Sequence, residues 1–221
     1  MYQGELFGMF DVNEEQPYQV RQIAAKDTYW LLKNVHYAKR IPMIMYAYGL
    51  YHLHDLVGIV TYGLPPSPDV CKGICGEEYS DKVIELNRLC LVNNKKGEAS
   101  KLVGTSLRLL PKPKIVISYA DTSQNHTGII YQAPNFIYTG LSTPNKDIMI
   151  RGKESQHSRT FTGGSTTYAD LRARYGEENI YYVERPRKHR YIYFLGNKKE
   201  VKEMQSKLRW QIQPYPKSKV T

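Results

Sequence analysis

The chain has few cysteines, little phenylalanine or tryptophan, and too little acid to balance its base. Its 221 residues hold three cysteines, Cys71, Cys75 and Cys90. An odd number without framework spacing argues against a disulfide scaffold. Free thiols fit a reducing compartment, so a cytoplasmic location is expected. No apolar run reaches the ~18 residues that cross a bilayer, and no membrane partner is expected. Residues 1–13 show no basic stretch followed by an apolar one, so no secretion signal is read there. There is no internal repeat and no low-complexity block. Asp and Glu number 21 against 31 Lys and Arg, which leaves a net charge of +10. A surplus of that size points to a polyanionic partner.

What is present is tyrosine: 19 of them beside five Phe and two Trp. The side chain joins a flat apolar body to a polar tip, which suits stacking on bases or lining a wet cleft. The hydrophobic fraction of 41% is enough for a real core. The chain is read as a single domain over 1–221, with a basic extension from about residue 145 to the end.

Strands and helices alternate between 20 and 140, the pattern of a mixed α/β sheet. The residue pattern predicts strands at 20–23, 43–53, 55–63, 83–92, 115–119, 136–141, 180–185 and 190–194. Helices are expected at 24–33, 99–110, 127–135, 167–175 and 198–208. Leu64-Pro65-Pro66-Ser67-Pro68 is read as a firm stop after a strand, and 78–81 as irregular. Strand 83–92, helix 99–110 and strand 115–119 make a βαβ unit. The turn into that helix carries Lys95, Lys96, Gly97, Ser100 and Lys101. A helix N-terminus with free N–H groups and lysines is a plausible cradle for a pyrophosphate.

The densest chemistry lies at Ser118-Tyr119-Ala120-Asp121 and runs on through His126, Gly128 and Tyr131-Gln132-Ala133-Pro134-Asn135-Phe136. A core strand that ends in hydroxyl, phenol, carboxylate, amide and imidazole usually delivers them to a site. The plainer reading makes Asp121, Thr122 or Ser123 a helix N-cap. Together with His36-Tyr37, Glu85-Leu86-Asn87-Arg88-Leu89, Lys188-His189-Arg190-Tyr191 and Tyr215-Pro216-Lys217, this stretch resembles the Mom family of bacteriophage DNA-modification proteins. The likeness runs from about 30 to 217 and is strongest at 115–140.

That resemblance implies a GNAT-like acyltransferase fold, an α/β mixed central sheet flanked by helices. It implies an enzyme that converts adenine in phage DNA to an N6-methylcarbamoyl, glycinamide-like form and so shields the DNA from host restriction. A GNAT-like protein would hold a CoA pyrophosphate at the βαβ turn, where Lys96, Gly97, Ser100 and Lys101 stand. The turn departs from the Gly-rich loop of GNAT proteins, so the donor is read as acetyl-CoA or another activated compound such as an aminoacyl-tRNA. Iron is a further cofactor that the resemblance brings in. A homodimer is an open expectation.

The exocyclic amine of adenine is a poor nucleophile, because its lone pair is delocalised into the ring. An enzyme acting on it must remove a proton and stabilise charge on the donor. It must also reach a base that is paired in duplex DNA. Asp121, at the carboxyl end of a core strand, is the first candidate for acid/base work or for orienting the amine. Alternation turns Ser118 and Tyr119 to opposite faces, so one of the two reaches the site, and Ser118 is carried as the candidate. Tyr131 either stacks on a base or packs in the core. His36 and Tyr37 are candidates for proton transfer. Arg88, mid-strand, needs a partner such as Glu85 or Asp121, or faces a cleft to clamp a carbonyl or phosphate. Arg185, Arg187, Lys188 and Arg190 are the candidate phosphate contacts, sequence-blind and salt-sensitive. His52-x-His54 and Cys71-x3-Cys75 with Cys90 are the two sparse metal candidates, and neither completes a zinc pattern. Two other functions stay open: a CoA-dependent N-acyltransferase acting on protein or small molecules, and a nucleic-acid-binding module without catalysis.

Overall fold

A computed structural model describes residues 18–156 and 158–217. They fall into two compact units, each built from two stretches of chain. One holds the described residues up to Tyr62 together with Arg88–Leu110. The other holds Gly63–Asn87 and the chain from Pro111 onward.

The first unit is an antiparallel meander with helical cover. It contains β1 (Gln19–Gln22), α1 (Tyr29–Asn34), β2 (Tyr46–His52) and β3 (Asp55–Gly63), the last residue of which opens the second unit. β1 pairs with β2 and β2 with β3, with Leu53 and His54 as the hairpin turn. The latter half of β4 (Val83–Leu91) and α3 (Glu98–Leu109) complete the unit. Tyr48, Leu50, Ile59 and Val60 are fully buried, while Tyr46 and Tyr51 of the Tyr-rich strand are half-buried. The Tyr62 hydroxyl meets Ser106 Oγ of α3 at 2.6 Å. Leu31 and Leu32 anchor α1 on Ile59 and Cys90.

The second unit begins with α2 (Pro68–Cys75), a 3-10 stretch over Glu77–Lys82 and the first half of β4. It continues with β5 (Lys114–Asp121), α4 (Ile129–Gln132), β6 (Ile137–Leu141), β7 (Asn145–Ile150), α5 (Tyr168–Tyr175), β8 (Ile180–Arg185), β9 (Lys188–Leu195) and α6 (Lys198–Ser206). The order across its sheet is β4-β5-β9-β6. β4 and β5 are parallel, with Val83–Leu86 against Ile115–Ser118, while β9 runs antiparallel to both β5 and β6. β7 and β8 form a separate two-stranded ribbon. The ribbon has a small core of its own, made of Ile150, Phe161 and Leu171.

The architecture is the expected one, an α/β fold whose sheet mixes parallel and antiparallel strands under helices. Four segments differ from the sequence reading. The proline cluster stops β3 but also starts α2: Ser67 Oγ accepts from the Asp69 N–H and Pro68 takes the first helical position. Pro is favoured there because its missing N–H would lack an intrahelical acceptor anyway. Residues 145–150 form a strand, and 77–82 wind into a 3-10 stretch. The basic link before 190 is largely strand, since β9 begins at Lys188.

Candidate active site

Strand register builds the site. Side chains alternate across a strand, so Ile115, Ile117, Tyr119 and Asp121 of β5 share one face. Val83 and Glu85 lie opposite Ile115 and Ile117 on β4. On β9, Phe194, Ile192, Arg190 and Lys188 face the same four β5 residues in turn. The lower end of this face is apolar. Val83, Ile115, Ile117, Ile192 and Phe194 pack under Ile74 and Cys75 of α2 and Met204 of α6. Its upper end is a polar row of Glu85, Tyr119, Arg190, Asp121 and Lys188. Trp210, on the tail after α6, covers part of it, with the Arg190 guanidinium carbon 4.1 Å from the centre of the indole ring.

The electrostatics of that row are unequal. Burial pushes the Tyr119 phenol well above the tyrosine range, and Glu85 adds to the shift, so the group stays a proton donor at neutral pH. Cys71 of α2 interacts electrostatically with Glu85 and Tyr119, and burial keeps its thiol protonated. Partial burial pushes Asp121 up, but hydrogen bonds from the Ser123 hydroxyl and N–H and the charge of Lys188 prevail, and the carboxyl lies below its usual range. Asp121 caps the short 3-10 turn at Thr122–Gln124 through Ser123. Its other oxygen faces Lys188 Nζ at 3.5 Å. It is therefore a fixed anion that accepts hydrogen bonds.

Ser118 and Tyr131 have interior positions. Ser118 is fully buried and its hydroxyl donates to the Leu86 carbonyl at 3.0 Å. The Tyr131 ring packs against Phe136 and Tyr191. Of the pair on β5, Tyr119 shares the Asp121 face. Counting back two residues from Asp121 would have selected it.

The first unit holds a second cluster. His36 is buried, and burial followed by the nearby Arg88 charge lowers its pKa to about 4. Its Nδ1 accepts the Ala38 N–H at 3.0 Å, which leaves the ring neutral with its proton on Nε2. Tyr37 is exposed and stacks on His36 with ring centres 4.5 Å apart. Asp121, expected as a balance for Arg88, pairs with Lys188 instead.

The turn expected to hold a pyrophosphate contains a competing anion. Gly97 adopts the left-handed φ of 87° that starts α3, and Ser100 Oγ donates to its carbonyl. Glu98 follows, only 2% exposed, and accepts the Lys95 N–H and the Tyr18 hydroxyl, each at 2.8 Å. Lys96 and Lys101 remain exposed beside it. A phosphate entering here meets a carboxylate already seated on the helix N-terminus, so the turn fits a diphosphate less well than its lysines alone imply. No group of three or more His, Cys, Asp or Glu that could hold a metal exists among the described residues. Cys75 and Cys90 are held up at about 11 by burial, so neither offers a thiolate. His54 lies in the hairpin turn, away from the strand face of His52. The described residues do not fit iron.

The four basic candidates near 185–190 each have a partner within their unit. Arg185 makes a bidentate pair with Asp147, through Nε and Nη2. Arg187 donates to the carbonyls of Ser142 and Leu141. Lys188 faces Asp121, and Arg190 donates to the Thr139 carbonyl at 2.9 Å.

These features define an α/β protein with a mixed sheet, one face of which ends in a phenol, a guanidinium and a carboxylate held by strand register. The chain belongs to the Mom protein family, whose sequence model matches residues 17–217. It is 29% identical over 201 residues to Methylcarbamoylase mom of Escherichia phage Mu, covering 85% of this chain and 80% of that one. Among solved structures, it is similar to a probable acetyltransferase from Staphylococcus epidermidis, with 11% identity, 81% of this chain and 100% of that chain covered, and a TM-score of 0.46. An acetyltransferase from Bacillus subtilis in complex with CoA gives 12% identity, 81% and 98% coverage, and a TM-score of 0.42. No described helix is long and apolar enough to cross a membrane.

Proposed function

We propose that this chain is a phage DNA-modification transferase that places a methylcarbamoyl group on the exocyclic amine of adenine and thereby protects phage DNA from restriction. The observation that carries this reading is the family match over 17–217. The name of the phage Mu relative, a methylcarbamoylase, supports the group transferred. The net charge of +10 supports a polyanionic substrate.

On this reading the fold is GNAT-like and the polar row does the chemistry. Asp121 accepts a hydrogen bond from the adenine amine and fixes its direction of attack. Tyr119, which keeps its proton, donates toward the charge that grows on the donor. Arg190 adds positive potential, and Lys188 holds Asp121 in place. The neutral His36 imidazole, with Tyr37 stacked on it and Arg88 near, offers an Nε2–H donor, since its Nδ1 already accepts the Ala38 N–H, and this reading assigns it a hydrogen-bonding role. The donor is an activated compound, acetyl-CoA or an aminoacyl-tRNA being the two candidates. An aminoacyl group brings its own nitrogen, with tRNA as leaving group, whereas acetyl-CoA supplies two carbons with CoA thiol as leaving group and needs a separate nitrogen donor. The protein acts in the host cytoplasm.

Mass spectrometry of nucleosides from cells expressing the chain tests the reading. A heavier deoxyadenosine is expected, and it disappears in Asp121→Ala while DNA binding stays. Unmodified deoxyadenosine in the wild-type culture would overturn the proposal. Label from acetyl-CoA appearing on proteins or small amines would then favour an ordinary N-acyltransferase.

A further inference from the structure

The proposed reaction requires a polynucleotide substrate, and the inference below rests on that reading through this requirement alone. The cations at 185–190 are engaged within their own unit, and contact with phosphate gains from a further basic surface whose cations are not so engaged. The first unit has one. Between Asp27 and Asp55 the sequence contains no acid at all, and Lys33, Lys39 and Arg40 fall in that run. Among the described residues, none of these three side chains has an ion pair or hydrogen bond.

The same segment exposes large apolar side chains. Trp30 is 66% exposed, Met43 65% and Tyr37 59%. No described ring stacks on Trp30. The backbone that carries the indole is nonetheless anchored. Leu31 and Leu32, next in sequence, are buried in the core, and Asn34 Nδ2 donates to the Trp30 carbonyl at 2.8 Å. An exposed indole on an anchored backbone, beside cations in a run with no acid between Asp27 and Asp55, matches the chemistry of an unpaired nucleic-acid strand, whose bases offer flat faces and whose backbone offers charge. A duplex hides those faces. A second copy of the chain is a poor occupant, because a two-fold contact would set the same cations against each other.

We propose that the surface formed by Trp30, Lys33, Lys39 and Arg40 holds an unpaired strand, with the indole stacked on a base and the three cations on phosphates. Such a platform serves an enzyme whose target base must leave the helix.

The full-length chain is titrated with a short oligodeoxythymidylate, the matching oligouridylate and a duplex of equal length, at several salt concentrations. Single strands are expected to quench tryptophan fluorescence and to bind more tightly than duplex. Trp30→Ala should abolish most of the quench and weaken strand binding about five- to tenfold, while Trp30→Phe keeps most of the affinity. Replacing Lys33, Lys39 and Arg40 by Gln should lower the slope of log K against log salt by about 2. A preference for the deoxy or the ribo strand then identifies which polynucleotide the surface serves. The proposal fails if Trp30→Ala, shown folded by circular dichroism, binds and quenches like the wild type. It also fails if duplex binds as well as single strand, or if Trp30→Ala changes only self-association in the ultracentrifuge. Loss of the surface with modified deoxyadenosine still formed leaves the proposed chemistry standing. Strand binding without modified nucleoside overturns the chemistry alone.

Discussion

Tyr119 and Asp121 stand two residues apart on one strand, and their surroundings push them in opposite directions. One keeps its proton and the other loses it. Two groups separated in this way are a natural donor and acceptor pair. Tyr119→Phe removes the donor and little volume. Turnover should fall ~10²-fold or more, the usual size of a lost general acid, with strand affinity unchanged; single-turnover kinetics would show it. His36 makes a separate statement about stability. Its pKa is about 4 in the fold against 6.5 unfolded. Below 6.5 the unfolded chain binds more protons, so His36 contributes full stability above that pH and loses its contribution as pH falls toward 4. Urea midpoints should drop over this window in the wild type and drop less in His36→Gln. The place of Asp121 at a strand end was legible in the sequence, and so was its alternative part as a cap. The choice between Ser118 and Tyr119 was not legible, because alternation alone does not say which face a helix will cover. That choice depends on α2, which the proline run concealed.

Elements were legible where period and punctuation agreed. β3 was read with its observed limits, and α3 and α5 within a residue, because apolar spacing and caps coincide there. α2 was missed for a physical reason: Pro66-Ser67-Pro68 both breaks a strand and starts a helix. β7 was missed because its ribbon turns polar residues outward and leaves little alternation to read. Helix caps that only the structure reveals carry further predictions. Asn197 Oδ1 accepts the N–H groups of Lys199 and Glu200, and Glu200 in turn accepts the Asn197 N–H. Asn197→Ala should cost ~1 kcal/mol in chemical denaturation, since α6 brings Met204 into the core. Gly128, at φ 81°, starts α4 where an added Cβ would run into the Tyr191 ring. Gly128→Ala should cost more than ~1 kcal/mol, by strain and collision together.

For the whole molecule, charge and connectivity were legible to different degrees. The +10 surplus was plain, but its location was not. The basic run at 185–190 looked free in sequence and is tied down in space, because each cation finds a carboxylate or carbonyl that only folding brings near. Substitution at Arg185 should therefore loosen the β7–β8 ribbon more than it weakens strand binding, and comparing thermal melting with binding would separate the two. The order β4-β5-β9-β6 also has a temporal side. The strand that lies between β5 and β6 is the last of the described strands to be made. Until β9 leaves the ribosome, its two neighbours present unpaired edges, while the β7–α5–β8 excursion is still being added between them. During synthesis the nascent chain thus carries open, association-prone strand edges until β9 has been added.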